Sequence, residues 1–252
     1  MTAGGRPSGR GWYLFGILPP DSDIDIDGWP CFDGRERVRL VRAANLYAVV
    51  ARVGTDDLPG EGSVDDPERL TGMVHDHDRV LHEVARCGRA LVPVPFGTVT
   101  RSLDQLRRSI EAHCEELYDA LSRLEGCDEW GVHVSVPRET SQIAVRRMTR
   151  EVYDRLAACS EDAVIEPVEA NAHEQRPSAL SAAFLVNRDR LERFRAVVEE
   201  LRAHWNLAGG SISLSGPWPA YHFARVHLGA LGSDEALVLL GPLSAPERAW
   251  AT

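Results

Sequence analysis

The segment "HDHDRVLHEV" sets His75, His77 and His82 among Asp76 and Asp78. Imidazole nitrogens and carboxylates at this density are the ligand types of a zinc or related site. Their spacing argues against a shared ion. The surrounding pattern is helical, and residues two apart on a helix point away from each other, so His75 and His77 diverge. His75 and His82 stand two turns apart, roughly 10 Å by helical rise. His77 falls on the apolar stripe with Leu70 and Val84. The expectation is a packed His77 and two surface histidines.

"DSDIDIDG" offers a second arrangement, that of a calcium loop. Counting from Asp23 places Asp25, Asp27 and Gly28 at positions 3, 5 and 6 of such a loop. Position 12, which requires a bidentate glutamate, is Gly34. A solvated acidic loop is the simpler reading. The chain has no phosphate-binding glycine loop, no G-x-S-x-G elbow and no H-E-x-x-H helix. Any catalytic carboxylate pair is lost among 38 acidic residues. The remaining chemical feature is "SLSGPWPAYHF", Ser213 to Phe223, which holds Trp218 between two prolines. Such a turn serves either as the lid of a hydrophobic core or as a docking surface.

The elements that position these residues follow from periodicity. "WYLFGIL", "RVRLVRAA" and "NLYAVVARV" are strands, the last two joined tightly at Ala44–Asn45. Pro67 opens a helix with Leu70, Met73, His77, Val80, Leu81 and Val84 on one face, closed by Gly88. "ALVPVPFGTV" is a strand interrupted by prolines. Ser102 with Gln105 caps a long helix that runs to Gly126. "EWGVHVSV", "SAAFLV" and "GGSISLSG" are strands that alternate with helices over 143–156 and 191–205, the second capped by Asn187 or Asp189. Residues 1–10 read as a disordered start, and residues 159–178 as acidic and irregular. This order predicts an α+β chain of two domains. Residues 1–100 form a modified ferredoxin-like sheet with a helix. Residues 101–252 form a ferredoxin-like α+β domain with additional helices and a short tail, although the helix at 102–124 can pack with either half.

Composition narrows the function classes. The net charge is −10, against the basic surface of a nucleic-acid binder and against anionic membranes. No apolar run approaches ~18 residues. The five cysteines are widely spaced without a C-x-x-C, as in reduced thiols of a cytoplasmic protein. All 28 basic residues are arginine, which high-GC codon usage explains, while its planar fork also favours interface ion pairs.

Three segments taken together resemble the gas vesicle protein F/L family: "RVLHEVARCGRALVPVPFGTVTRS", "EWGVHVSV" with the helix before it, and "SAAFLVNRDRLERFRAVVEELRA" with "LSGPWPAYHF". The resemblance covers nearly the whole chain after residue 11. Its most specific pieces are Pro93 with Phe96-Gly97-Thr98, and Gly216-Pro217-Trp218-Pro219 with Tyr221. His77 stands where the family often has a histidine. Pro95 stands where the family commonly has arginine, and the segment 137–180 is short and lacks an Arg-rich helix start. The resemblance implies a two-domain accessory protein of the gas vesicle without enzymatic activity or cofactor. It also implies contact with the hydrophobic shell protein, and with other accessory proteins, as assembly chaperone or minor wall component. Phe96, Gly97, Trp218, Pro219 and Tyr221 are the expected partner-binding residues.

Two other classes compete. An enzyme on a ferredoxin-like scaffold, acting on an unidentified small molecule, requires a concave pocket with convergent polar groups. An RNA-recognition module requires exposed sheet aromatics in a basic surround, which the charge opposes.

Overall fold

The structure is a computed structural model that describes residues 9–22, 24–32, 34–54, 67–168, 177–226, 228 and 238–239. Of the start expected to be disordered over residues 1–10, residues 1–8 lie outside the described residues, as does the loop at 55–66, while Arg10 already belongs to the first strand. The chain forms two compact units, one of residues up to Glu125 together with those from Ala224 onward, the other Gly126–Phe223. The division expected after residue 100 moves to Glu125, because the helical segment 103–124 packs with the first unit.

The first unit opens with β1 (Arg10–Leu18), β2 (Pro30–Cys31), β3 (Glu36–Ala43), β4 (Leu46–Gly54) and α1 (Pro67–Arg86). It continues with β5 (Val92–Pro93), β6 (Thr98–Thr100), α2 (Leu103–Ala112) and α3 (Cys114–Leu124). The β3–β4 hairpin turns on Ala44 and Asn45, both at positive φ, the backbone that a two-residue hairpin of matching twist requires. β1 is central, paired with β4 on one side and with β5 and β6 on the other, all antiparallel. This explains why its residues from Tyr13 to Leu18 are buried throughout. The proline-interrupted "ALVPVPFGTV" is two short strands, because Pro95 to Gly97 leave the ladder. The single helix expected over 102–124 is two, broken at His113, whose φ of −110° departs from helical geometry. Ser102 caps α2 as expected, and Gln105 reaches back to the Arg101 amide.

The second unit runs β7 (Cys127–Ser135), α4 (Gln142–Ala157), β8 (Asp162–Glu166), β9 (Ser178–Asn187), α5 (Leu191–Asn206) and β10 (Ser211–Trp218). Its antiparallel sheet has the order β10-β7-β9-β8. This is the βαββαβ arrangement of the ferredoxin-like fold. β8 corrects the irregular reading of 159–178: its side chains are mostly half-buried, so the segment shows no clear alternation. Even-numbered residues of β7 and β9 face the helices. Trp130, Val132, Val134, Ala182 and Phe184 there meet Met148, Val152 and Leu156 of α4 and Phe194, Val198 and Leu201 of α5. The odd-numbered face carries Glu129, His133 and Ser181 instead. Outside this unit, β11 (Val238–Leu239) pairs with β6 in the first sheet.

Candidate functional site

The predicted site residues fall on both units. In the first, Phe96 and Gly97 occupy the turn between β5 and β6. Gly97 sits at φ +84°, a left-handed backbone that favours glycine. The turn closes through Thr98, whose amide and hydroxyl both donate to the Pro95 carbonyl. The Gly97 N–H donates to the Tyr13 hydroxyl at 3.0 Å, and that hydroxyl lies 2.9 Å from His77 Nδ1. The phenol oxygen thus accepts from the Gly97 amide and shares a hydrogen bond with the imidazole, while His77 Nε2 is buried without a hydrogen-bond partner.

Rings enclose this relay. Phe15 stacks on His77 at 5.7 Å, and Phe96 meets the same imidazole edge-on at 5.7 Å. Burial pushes the His77 pKa down to about 3, and the same burial pushes the Tyr13 hydroxyl up. Neither group ionises near neutral pH. His77 is thus the packed histidine expected from the α1 stripe, and its partner Tyr13 lies 64 residues away in sequence. His82 bonds back to the Asp78 carbonyl on its own helix, so the histidine patch does not converge. In the acidic loop, Asp27 accepts from the Leu40 amide and Asp21 pairs with Arg89, while Asp23 lies outside the described residues. Tyr13→Phe leaves the Gly97 amide and His77 Nδ1 without partners. We expect a loss of about 1–3 kcal/mol by urea unfolding.

In the second unit, β10 leaves its ladder between Ser215 and Trp218, at the cis Gly216–Pro217 bond. Trp218 then re-pairs with Glu129 on β7. The indole is half-buried and donates from Nε1 to Ser215 Oγ at 2.9 Å, across the turn. Pro219, Ala220 and Phe223 are buried and Tyr221 is half-buried. The segment is fastened by a cluster absent from the sequence expectations. The fully buried Glu129 accepts from His222 Nδ1 at 2.8 Å and from the His222 backbone N–H at 2.9 Å. His222 Nε2 donates to Glu166 on β8 at 2.9 Å, and Ser181 on β9 donates to the other Glu166 oxygen at 2.5 Å. Burial alone would lower the imidazole pKa. Hydrogen bonds to, and the charges of, Glu129 and Glu166 outweigh it and raise the pKa to about 9. An imidazolium therefore bridges two carboxylates contributed by different strands. Both ring nitrogens are engaged, so the three groups hold one another. Among the described residues no group of His, Cys, Asp and Glu side chains could hold a metal ion.

The pattern of the gas vesicle synthesis protein GvpL/GvpF family matches residues 11–147 and 138–225. The chain belongs to this family. Its relatives include gas vesicle protein F1 of Halobacterium salinarum, 29% identical over 86% of this chain and 94% of that protein. Gas vesicle protein F of Haloferax mediterranei is 30% identical over 86% and 95%. Gas vesicle protein L of a Streptomyces species is 26% identical over 85% and 92%. Among solved structures, the crystal structure of GvpF from Anabaena sp. superposes with a TM-score of 0.69 at 16% identity, covering 86% of this chain and 97% of that one. GvpF from Microcystis aeruginosa gives 0.65 at 15% identity, covering 86% and 99%. A role connected with gas vesicles follows from family membership, and the α+β fold from the superpositions.

Within this GvpL/GvpF chain, the structure gives the five expected residues different surroundings. Gly97 and Pro219 are buried, while Phe96, Trp218 and Tyr221 keep part of their rings exposed. His222 stood inside the quoted "GPWPAYHF" and could have been singled out as the one histidine there. Its carboxylate partners lie 93 and 56 positions earlier, in different strands, and no spacing rule connects them. Among the described residues no helix is long and apolar enough to cross a membrane.

Proposed function

We propose that this protein is a gas vesicle accessory protein that binds the hydrophobic shell subunit and supports vesicle assembly, as chaperone or minor structural component, in the cytoplasm and at the gas vesicle. The observation that carries the reading is the family match over nearly all of residues 11–225. Physical chemistry supports it. A very hydrophobic wall subunit self-associates unless its apolar surface is held before it joins the wall. An acidic protein with a limited aromatic surface can do that without aggregating itself. Trp and Tyr are the residue types enriched at binding hot spots, and Trp218 and Tyr221 share a stiff, fastened turn. Phe96 and Gly97 form the corresponding turn of the first unit, with the Phe96 ring partly exposed. Binding needs no catalytic residue or cofactor, and other accessory proteins of the vesicle are further partners.

The test is a pull-down of the shell subunit by the full chain, its Trp218→Ala variant and its Tyr221→Ala variant. Trp218 is only half-buried, so truncation should cost less than the ~3–5 kcal/mol of a fully buried aromatic. We expect a folded variant with clearly weaker capture. Undiminished capture by both variants would place the contact elsewhere. No capture by the wild-type chain, with vesicle formation intact after gene deletion, would refute the function.

A further inference from the structure

Beneath the Phe96 ring lies a pair of side chains that stability alone does not explain. Tyr13 and His77 are both buried, and their hydroxyl and imidazole share a hydrogen bond at 2.9 Å. His77 is 2% exposed, and its Nε2 has no hydrogen-bond partner. A buried polar atom left so costs stability, whereas two apolar side chains of the same shape would be nearly neutral there or better. The pair stands where a packed core takes Phe and Leu. Such a departure is expected where a structure serves a site rather than its own stability.

A third hydrogen bond shows what the pair holds. The Gly97 N–H, 84 residues along the chain, donates to the same phenol oxygen at 3.0 Å. Gly97 follows Phe96 in the turn that leaves the ladder between β5 and β6. The phenol is thus joined to α1 through His77 and to the turn through Gly97. Phe96 meets the imidazole edge-on at 5.7 Å and the Tyr13 ring at 6.2 Å, so the same two residues set its inner side. Part of the Phe96 ring stays exposed, beside the exposed Pro95. Burial keeps both polar groups uncharged near neutral pH, pushing the imidazole pKa down to about 3 and the phenol up. The pair therefore puts no charge beneath the ring that an apolar partner would desolvate.

We infer that Tyr13 and His77 are positioning residues, which hold the Phe96–Gly97 turn in the shape that presents the Phe96 ring to an apolar segment of the shell subunit. The inference rests on the shell-binding reading above. It adds two buried side chains on which that surface depends although neither reaches the partner. A ring already held in place needs no ordering when the partner arrives, and that ordering would otherwise weaken binding.

Amide hydrogen exchange and capture of the shell subunit, both measured on the full chain, test this. Tyr13→Phe keeps the ring and removes the hydroxyl. Gly97 exchange, taken relative to the amides of β1, should quicken about five- to a hundredfold, the equivalent of one lost buried hydrogen bond, and capture should weaken by a comparable factor. His77→Phe keeps a ring against Phe15 but no nitrogen, and should weaken capture too. His77→Asn, whose amide takes the place of Nδ1, should restore it. Leu46→Ala is the control for stability. Leu46 is buried on β4, across β1 from the turn, and its truncation lowers the melting temperature at least as far as Tyr13→Phe does. It should leave relative Gly97 exchange and capture unchanged. If Tyr13→Phe captures as well as the unmodified chain, the inference is overturned and the function stands. Capture lost equally in Leu46→Ala also overturns it, since the pair then serves the core alone. Equal loss in His77→Phe and His77→Asn does the same. No capture by the unmodified chain overturns the inference together with the function.

Discussion

His222→Ala will destabilise the second unit by about 3–5 kcal/mol at neutral pH, the range for removing one partner of a buried ion pair. Both carboxylate oxygens of Glu129 accept from His222, one from the ring and one from the backbone. Truncation removes the charged partner and leaves a fully buried carboxylate facing Glu166 across the space the ring filled. Glu129→Gln should be milder, because the amide oxygen can still accept and no orphan charge remains. Guanidine unfolding followed through Trp130, which sits on β7 beside Glu129, reads both variants. Equal losses would mean that the charge of Glu129 contributes nothing beyond its shape.

The same cluster fixes a pH profile. The folded pKa of His222 lies above its unfolded value, from 6.5 to about 9. Its stabilisation is therefore complete below pH 6.5, declines as pH rises, and is gone above about 9. At ~1.4 kcal/mol per unit this amounts to roughly 3 kcal/mol. His77 in the first unit works in the opposite sense. Its folded pKa is depressed to about 3, so its unit loses stability as pH falls from 6.5 towards 3. Alkaline weakening absent from His222→Ala, with the acid limb retained, would separate the two histidines.

What was legible in the sequence was what local pattern encodes. The α1 stripe put His77 inside, Ala44–Asn45 gave a hairpin, Ser102 gave a cap, and the turns at Phe96-Gly97 and Trp218 carried the family resemblance. What was not legible depends on contacts between distant strands. β8 has half-buried side chains at the sheet edge, so neither a period-2 alternation nor an apolar run marks it. Without it, the second unit read as three strands rather than the full βαββαβ order. The break at His113 interrupts a stripe whose period continues through it, and so the periodicity hid it. Glu129 was one acidic residue among many, and only the pairing of β10 with β7 brings it beneath the aromatic turn. That also refines the question about Trp218. The turn is anchored by Pro219, Phe223 and the His222 cluster, and the indole bonded to Ser215 is half-buried rather than a lid sealed into the core.

Gly216→Ala should be about as damaging as His222→Ala, at about 2–6 kcal/mol, from a backbone cost of ~1–3 and an overpacking cost of ~1–3. Gly216 sits at φ +130°, which side-chain-bearing residues rarely adopt. A Cβ there would lie 2.9 Å from the Glu129 carbonyl oxygen and 3.1 Å from the Trp130 ring. The carbonyl belongs to the central strand β7. The Trp130 indole is 4% exposed and has the Arg195 guanidinium over its ring at 5.0 Å, so neither neighbour has room to retreat. Gly126→Ala separates the two costs. Gly126 has φ +70° with nothing within 4 Å of a built Cβ, so that variant shows the backbone cost alone, about 1 kcal/mol. If the two glycine variants melt together, the close approach of β10 to β7 at this turn is not what demands glycine. If Gly216→Ala melts far lower and also loses the near-ultraviolet signal of Trp130, the strand crossing beneath Trp218 is the constraint. The glycine of the "GPWP" marker is then explained by packing before any partner is considered.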